Sequence, residues 1–167
     1  LEARRRYWLV GVSKGLSIDL ESLVPTEREK VHASLGDVME HDLEHKWYDI
    51  ASLEKRTEIN KANGRNFSIN LVDAKSNKVS TIPRNYAKHQ VSNPHIVSED
   101  GSEYRLISRR EHARVKGIPK HLANNCSATV AHEGLGQSIL YAHAADIASS
   151  AIRAAMGKPE QLKLSVV

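Results

Sequence analysis

The stretch Arg105-Leu-Ile-Ser-Arg-Arg-Glu-His-Ala-Arg-Val-Lys-Gly-Ile-Pro119 constrains this chain more than any other. Ser108 is an N-cap residue. Glu111, three positions on, completes a capping box in which each side chain serves the other's backbone N–H. Gly117 tolerates the left-handed conformation that closes a helix, and Pro119 cannot continue one. The segment reads as a short helix from Ser108 to Lys116. It is strongly basic: Tyr104 to Lys120 holds six Lys and Arg against the single acid Glu111.

The chain of 167 residues carries a formal charge of +4 and is 40% hydrophobic, enough apolar material for a core and a charge compatible with a polyanion. Its single cysteine excludes an internal disulfide and points to a reducing compartment, the cytoplasm. No apolar run approaches the ~18 residues of a membrane span. The first residue is Leu1 rather than Met, which reads as a piece of a longer protein or one half of a split enzyme.

Along the chain, Arg6 to Val12 has the aromatic and β-branched character of a buried strand. Pro25 to Met39 has a helical start, with Val31, Leu35 and Val38 near helical period. Asp42 to Lys61 leans helical but is highly charged, and Asn63-Gly64 is a turn. Phe67 to Asp73 alternates as a strand with Phe67, Ile69 and Leu71 on one face, and Lys78 to Ile82 is a second strand. His89 to Ser102 reads as loop. Gly134-Leu-Gly-Gln-Ser138 is a glycine loop before an Ala-rich helix from Gln137 to Met156. Ile139, His143, Ile147, Ala151 and Ala154 form one stripe of that helix, with Gly157-Lys-Pro159 as its stop.

The basic helix followed by the glycine loop resembles the last two motifs of DNA cytosine-5 methyltransferases. The family's penultimate motif runs roughly Arg-x-Leu-Thr-x-Arg-Glu-x-Ala-Arg-Leu-x-Gly-Phe-Pro. Arg105, Ile107, Ser108, Arg110, Glu111, Ala113, Arg114, Val115, Gly117, Ile118 and Pro119 match it, identically or conservatively. Arg4-Arg-Arg6 followed by Tyr-Trp-Leu-Val-Gly11 resembles the family's Gln-x-Arg-x-Arg motif, strand and glycine, with Glu2 on the Gln position. The middle resembles the recognition region of bacterial methylases in Ala33-Ser-Leu-Gly-Asp-Val38, Lys61-Ala-Asn-Gly-Arg-Asn-Phe67 and Val79-Ser-Thr-Ile-Pro-Arg-Asn-Tyr86.

The resemblance implies an α/β fold. An edge strand and a return helix of an S-adenosylmethionine-dependent methyltransferase domain would flank a small mixed α+β target-recognition domain. Residues 1–15 would end the catalytic domain, 16–103 form the recognition domain, and 104–167 carry the last two motifs and a helix packing back, with Ile139, Ile147 and Ile152 as exposed apolar surface. It implies that Arg6 reaches O2 of a flipped cytosine with Arg4 in support. A permanently charged planar donor suits an oxygen on which negative charge builds. The competing reading of this cluster is a solvated strand end.

The resemblance further implies that Gly136, Gln137 and Ser138 close one side of the S-adenosylmethionine pocket, although Gln137 replaces the family's Asn and Leu140 its Pro. Arg105, Arg110, Glu111 and Arg114 would organise the recognition domain, Arg110 or Arg114 pairing with Glu111 or with backbone carbonyls. Arg65, Asn66, Arg84, Asn85 and Lys88 have side chains able to contact duplex DNA, at base edges or phosphates.

The family's Pro-Cys, Glu-Asn-Val and Phe-x-Gly-x-Gly segments do not occur in this sequence. Methylation at C5 needs a thiolate to attack C6 and a carboxylic acid at N3. Cys126 follows Asn124-Asn125 rather than Pro and reads as structural. The chain is therefore expected to be inactive alone, acting on duplex DNA with a catalytic half from elsewhere. His41-Asp-Leu-Glu-His45 has metal-ligand spacing, but its charged surroundings argue against a metal. The alternative reading is a non-catalytic DNA-binding module.

Overall fold

The computed structural model describes residues 1–3, 7–9, 11, 32–41, 44–119 and 121–156, the last helix without the side chains of 154 and 155. The chain divides into two compact units, residues 1–4 with 30–138, and residues 5–29 with 139–167.

The first unit is mixed α/β. A four-stranded sheet has the order β2 (Tyr48–Asp49), β6 (Glu103–Arg105), β5 (Pro94–Val97), β3 (Asn70–Val72), and a two-stranded sheet pairs β1 (Glu2–Ala3) in parallel with β4 (Val79–Ser80). In the larger sheet β6 is antiparallel to both neighbours, while β5 and β3 run parallel. Helix α1 (Ala51–Ala62) lies between β2 and β3 in sequence, and α2 (Arg109–Val115), α3 (His121–Asn124) and α4 (Ala128–Gln137) follow β6.

The main core gathers Leu35, Val38, Val72, Val79, Ile82, Tyr86, Ile96, Ile107 and Val115 from both sheets and α2. Leu53, Val91 and Tyr104 form a second cluster under α1, and Ala113, Ala123 and Leu135 join α2, α3 and α4. Small residues at that last contact let the helices approach closely.

The expected α2 is present with its cap intact. Glu111 N donates to Ser108 Oγ at 3.1 Å, Ser108 N donates to Glu111 Oε2 at 2.7 Å, and Gly117 takes φ 66° just past the end. Other expectations need correction. Residues 7–9 and 11 lie in no strand, and the rest of the expected strand from Arg6 to Val12 is outside the described residues. Among the described N-terminal residues, ladder pairing is made by Glu2–Ala3.

Of the helix expected from Pro25 to Met39, residues up to 31 lie outside the described residues. The described part holds only a 3-10 turn, Leu35–Val38. Leu35 N and Gly36 N donate to Ser76 O and Ala74 O, so these amides serve a distant loop rather than a helix of their own. The helical segment expected from Asp42 begins only at Ala51, because Tyr48 and Asp49 pair with Tyr104 and Glu103.

The strand at 67–73 narrows to Asn70–Val72 and buries Val72 while Leu71 is exposed, opposite to the expected face. Within the expected loop from His89 to Ser102 lies β5, whose Pro94, His95 and Ile96 are all buried. A strand covered on both faces has no alternation to read.

In the second unit, α5 (Tyr141–Met156) begins four residues after Gln137, where the helix was expected to start. Ile139 and Ile152 are exposed as expected, whereas Ile147 is buried.

Candidate functional site

β6 and α2 bring Arg105 and Glu111 together in the interior. Arg105 Nη1 donates to Glu111 Oε2 and Nη2 to Oε1, each at 2.8 Å, with both side chains at most 2% exposed. Glu111 also accepts from Glu40 N at 2.8 Å and from Ser108 N. Burial alone would raise its carboxyl pKa. The hydrogen bonds and charge of Arg105 and the two backbone N–H groups outweigh burial and hold it below the usual value. Glu111 is thus ionised and saturated with donors.

Glu40 was not singled out by the sequence, yet it is the second hub. Its carboxylate accepts from Ser108 Oγ at 2.6 Å and lies 3.6 Å from Arg110 Nη1 and 4.0 Å from Arg114 Nη2. Arg114 Nη1 donates to Val38 O at 3.0 Å. Arg110 and Arg114 therefore pair with Glu40 rather than with Glu111, whose oxygens Arg105 and the amides already occupy. The expected contact to a backbone carbonyl is made by Arg114. Through these bonds the segment from Leu35 to Glu40 is fastened to the start of α2.

A cavity of about 410 Å³ opens beside this network, lined by Glu40, Lys46, Ser108, Arg109, Arg110 and His132 among others. Behind it Tyr86 is buried. Its hydroxyl donates to Pro94 O at 2.6 Å and accepts from Ile107 N at 2.9 Å, and burial pushes its pKa up.

Against Tyr86 lie His112 and His132, with ring nitrogens Nδ1 3.0 Å apart. Burial drives His112 down to about 2, with the charges of His132 and Lys116 adding to the effect, and drives His132 down to about 4. Both are neutral, so one Nδ1 donates and the other accepts. His112 Nε2 has no partner. A bare acceptor there is cheaper than a stranded N–H, which assigns the donated proton to His112 Nδ1.

Lys116 and Glu2 form another buried pair at 3.0 Å, and Glu2 Oε1 accepts from Ile82 N. These partners lie far apart in sequence, and no local pattern announces them.

The glycine motif ends a helix instead of opening one, since Gly134 to Gln137 are the last residues of α4. A Cβ on Gly136 would sit 2.3 Å from Arg84 N and 2.4 Å from Arg84 Cα, so the missing side chain admits the Pro83–Arg84 backbone. Ser138 Oγ donates to Leu135 O at 2.7 Å. Gln137 alone of the three presents an exposed side chain. A helix C-terminus offers carbonyls and not N–H groups, so the end of α4 presents acceptors on this side.

The DNA-contact candidates fall in two turns. Arg65 and Asn66 follow the Asn63–Gly64 turn after α1 and are exposed. Arg84, Asn85 and Lys88 belong to the turn around Tyr86–Lys88, where Arg84 pairs with Glu133 at 2.9 Å. Arg4 and Arg6 lie outside the described residues. Cys126 Sγ lies 3.8 Å from Ala123 O, and Arg109 donates to the Cys126 carbonyl. His41 is exposed, while His45 Nε2 bonds Glu40 O at 2.8 Å. Among the described residues no helix is long and apolar enough to cross a membrane.

The sequence pattern of the C-5 cytosine-specific DNA methylases matches residues 2–153. The chain is 26% identical over 140 residues to the Type II methyltransferase M.SsoII of Shigella sonnei, an alignment covering 81% of this chain and 36% of that protein. The fold is similar to that of the S. pombe Dnmt2 methyltransferase (TM-score 0.53, 17% identity, 77% of this chain and 43% of that one). It is also similar to the Entamoeba histolytica methyltransferase EhMeth (TM-score 0.52, 9% identity, 80% and 45%). The chain spans roughly a third of the curated relative and less than half of each solved structure. With a match running nearly from end to end, the chain belongs to the C-5 cytosine-specific DNA methylase family.

Proposed function

We propose that this chain is the DNA-recognition and pocket-completing part of a DNA cytosine-5 methyltransferase, which transfers a methyl group from S-adenosylmethionine to C5 of cytosine in duplex DNA. The observation that carries the reading is the family match over residues 2–153. In this reading residues 1–15 end the catalytic domain, 16–103 read DNA, and 104–167 hold the last two motifs. The thiolate and the carboxylic acid come from segments absent from this sequence, so the chain is inactive alone.

The division of labour follows from the residues present. Arg105, Glu111, Glu40, Arg110 and Arg114 form a rigid ionic frame, which holds the recognition segments against α2 without touching the reacting base. Arg65, Asn66, Arg84, Asn85 and Lys88 supply donors toward duplex DNA. Arg6 donates to cytosine O2, where negative charge develops, with Arg4 beside it. S-adenosylmethionine supplies the methyl group. It is held chiefly by the missing glycine-rich segment, and Gln137 is the one expected cofactor residue with an exposed side chain. The protein works on DNA in a bacterial cytoplasm as part of a restriction-modification system.

Arg6→Ala tests the reading: with the catalytic segments supplied, bulk duplex binding changes little and methyl transfer falls steeply. Equal losses in both would sink the cytosine-pocket role. The missing Pro-Cys segment favours a second reading, a DNA-binding module without catalytic partner, in which no catalytic half gains activity from this chain.

A further inference from the structure

The sequence marked Arg65 as a DNA contact but gave no surroundings for it. In the fold Arg65 lines a cleft of about 430 Å³ together with Arg56, Asn60, Phe67, Gln90 and Ser92. The cleft is built from two directions. Arg56 and Asn60 stand four residues apart on α1, hence on one helix face. The chain then turns at Gly64 (φ 71°), and Arg65 N donates to Asn60 O at 2.8 Å, which folds the Arg65 loop back on the helix end. From the other side His89, at φ 53°, swings Gln90 to Ser92 toward the helix, and Arg56 Nη1 donates to His89 O at 3.2 Å.

The chemistry of the lining is one-sided. It presents two guanidinium groups, two amides and a hydroxyl, and no carboxylate. Neither arginine makes an ion pair with an acid among the described residues. Burial and the charges of Arg56 and Lys46 lower the pKa of His89, so the positive charge of the cleft belongs to the arginines. Phe67 adds a ring that is 45% exposed at the mouth.

Shape decides what such a lining takes. Base edges lie at the floor of the DNA grooves and are reached by protruding elements, a helix or a two-stranded ribbon. A cleft cannot enter a groove. Phosphates project from the duplex surface, and a concave site with paired guanidinium donors suits them. We infer that the cleft between α1 and the Gln90–Ser92 turn clamps one phosphodiester of the DNA backbone. Arg56 and Arg65 carry the charge, Asn60, Gln90 and Ser92 supply neutral donors, and Phe67 lies against the sugar. Arg65 then fixes the register of the protein on DNA and does not read its sequence. The inference rests on the proposal that the chain binds duplex DNA.

The test is the salt dependence of duplex affinity for the full chain, together with the sequences it selects from a random duplex pool. Arg56→Ala and Arg65→Ala each lower the slope of log K against log salt by about 1, and the double variant by about 2, as expected for lost phosphate contacts. The selected sequences stay the same, and Arg65→Lys recovers the slope. An unchanged slope would overturn the clamp. So would altered sequence selection, which would make the cleft a base-reading site, or an Arg65→Lys variant as weak as Arg65→Ala, which would remove charge as the cause. Failure of the unsubstituted chain to bind any duplex would instead sink the DNA-binding reading itself, and the clamp with it.

Discussion

Arg105 and Glu111 meet through two parallel hydrogen bonds of 2.8 Å in an interior that leaves neither side chain more than 2% exposed. Glu40 N and Ser108 N complete the carboxylate's partners. One bidentate pair thus joins the last sheet strand, the cap of α2 and the Leu35–Glu40 segment. Removing one member strands the other charge where water cannot reach it. Glu111→Gln and Arg105→Ala are each expected to cost about 3–5 kcal/mol, and the double variant less than their sum. Arg105→Lys is also destabilising, because an ammonium cannot span both oxygens. Urea unfolding of the four variants checks this, and single losses below about 1 kcal/mol would show that the pair is not closed to solvent.

The two glycines of α4 behave oppositely. Gly136 faces backbone atoms closer than any Cβ contact allows, whereas a Cβ on Gly134 meets nothing within 4 Å. Gly136→Ala must push the Pro83–Arg84 turn away and costs about 3 kcal/mol or more. Gly134→Ala gains about 0.5–1 kcal/mol from helix propensity. Thermal melts of the two variants should move in opposite directions.

Acid should weaken the first unit well before carboxylates titrate. His112, His132 and His95 are neutral in the fold, driven by burial to about 2, about 4 and about 4. Their ordinary value is 6.5, so between pH 6.5 and 4 the unfolded chain binds protons that the folded chain refuses. The stability is whole above pH 6.5 and declines below it, each histidine contributing a slope of up to about 1.4 kcal/mol per pH unit. Glu111, held below its usual value, adds a further loss only below about pH 4.5. Urea midpoints at pH 7 and pH 5 measure the decline, and His132→Gln should flatten it. Equal midpoints at the two pH values would mean that these histidines are solvated.

What the sequence disclosed was mostly local chemistry. The Ser108–Glu111 box and the Gly117 stop lie within one short segment, and they predicted α2 with its cap. The frame around it was not legible, because Glu40 and Glu111 are 71 residues apart and meet only when the Leu35–Glu40 segment docks. Strand β5 reads as loop in the sequence because Asn93-Pro94 signals a turn and a fully buried strand lacks alternation. Helix α4 is hidden in the sequence for a different reason: glycines usually argue against a helix, but Gly136 is required there by the close approach of Pro83–Arg84. The DNA candidates were recognisable by residue type, while the cleft that gathers Arg56 with Arg65 emerges only from the turn at His89.

Whether this chain completes a DNA cytosine-5 methyltransferase is measured by incorporation of labelled methyl groups from S-adenosylmethionine into duplex DNA. It would compare this chain alone, a polypeptide carrying the family's Pro-Cys, Glu-Asn-Val and glycine-rich segments alone, and the two together. 5-Methylcytosine is expected only in the mixture. Incorporation by this chain alone would show that it is not inactive by itself, and incorporation by the other polypeptide equally well without it would show that this chain completes no methyltransferase.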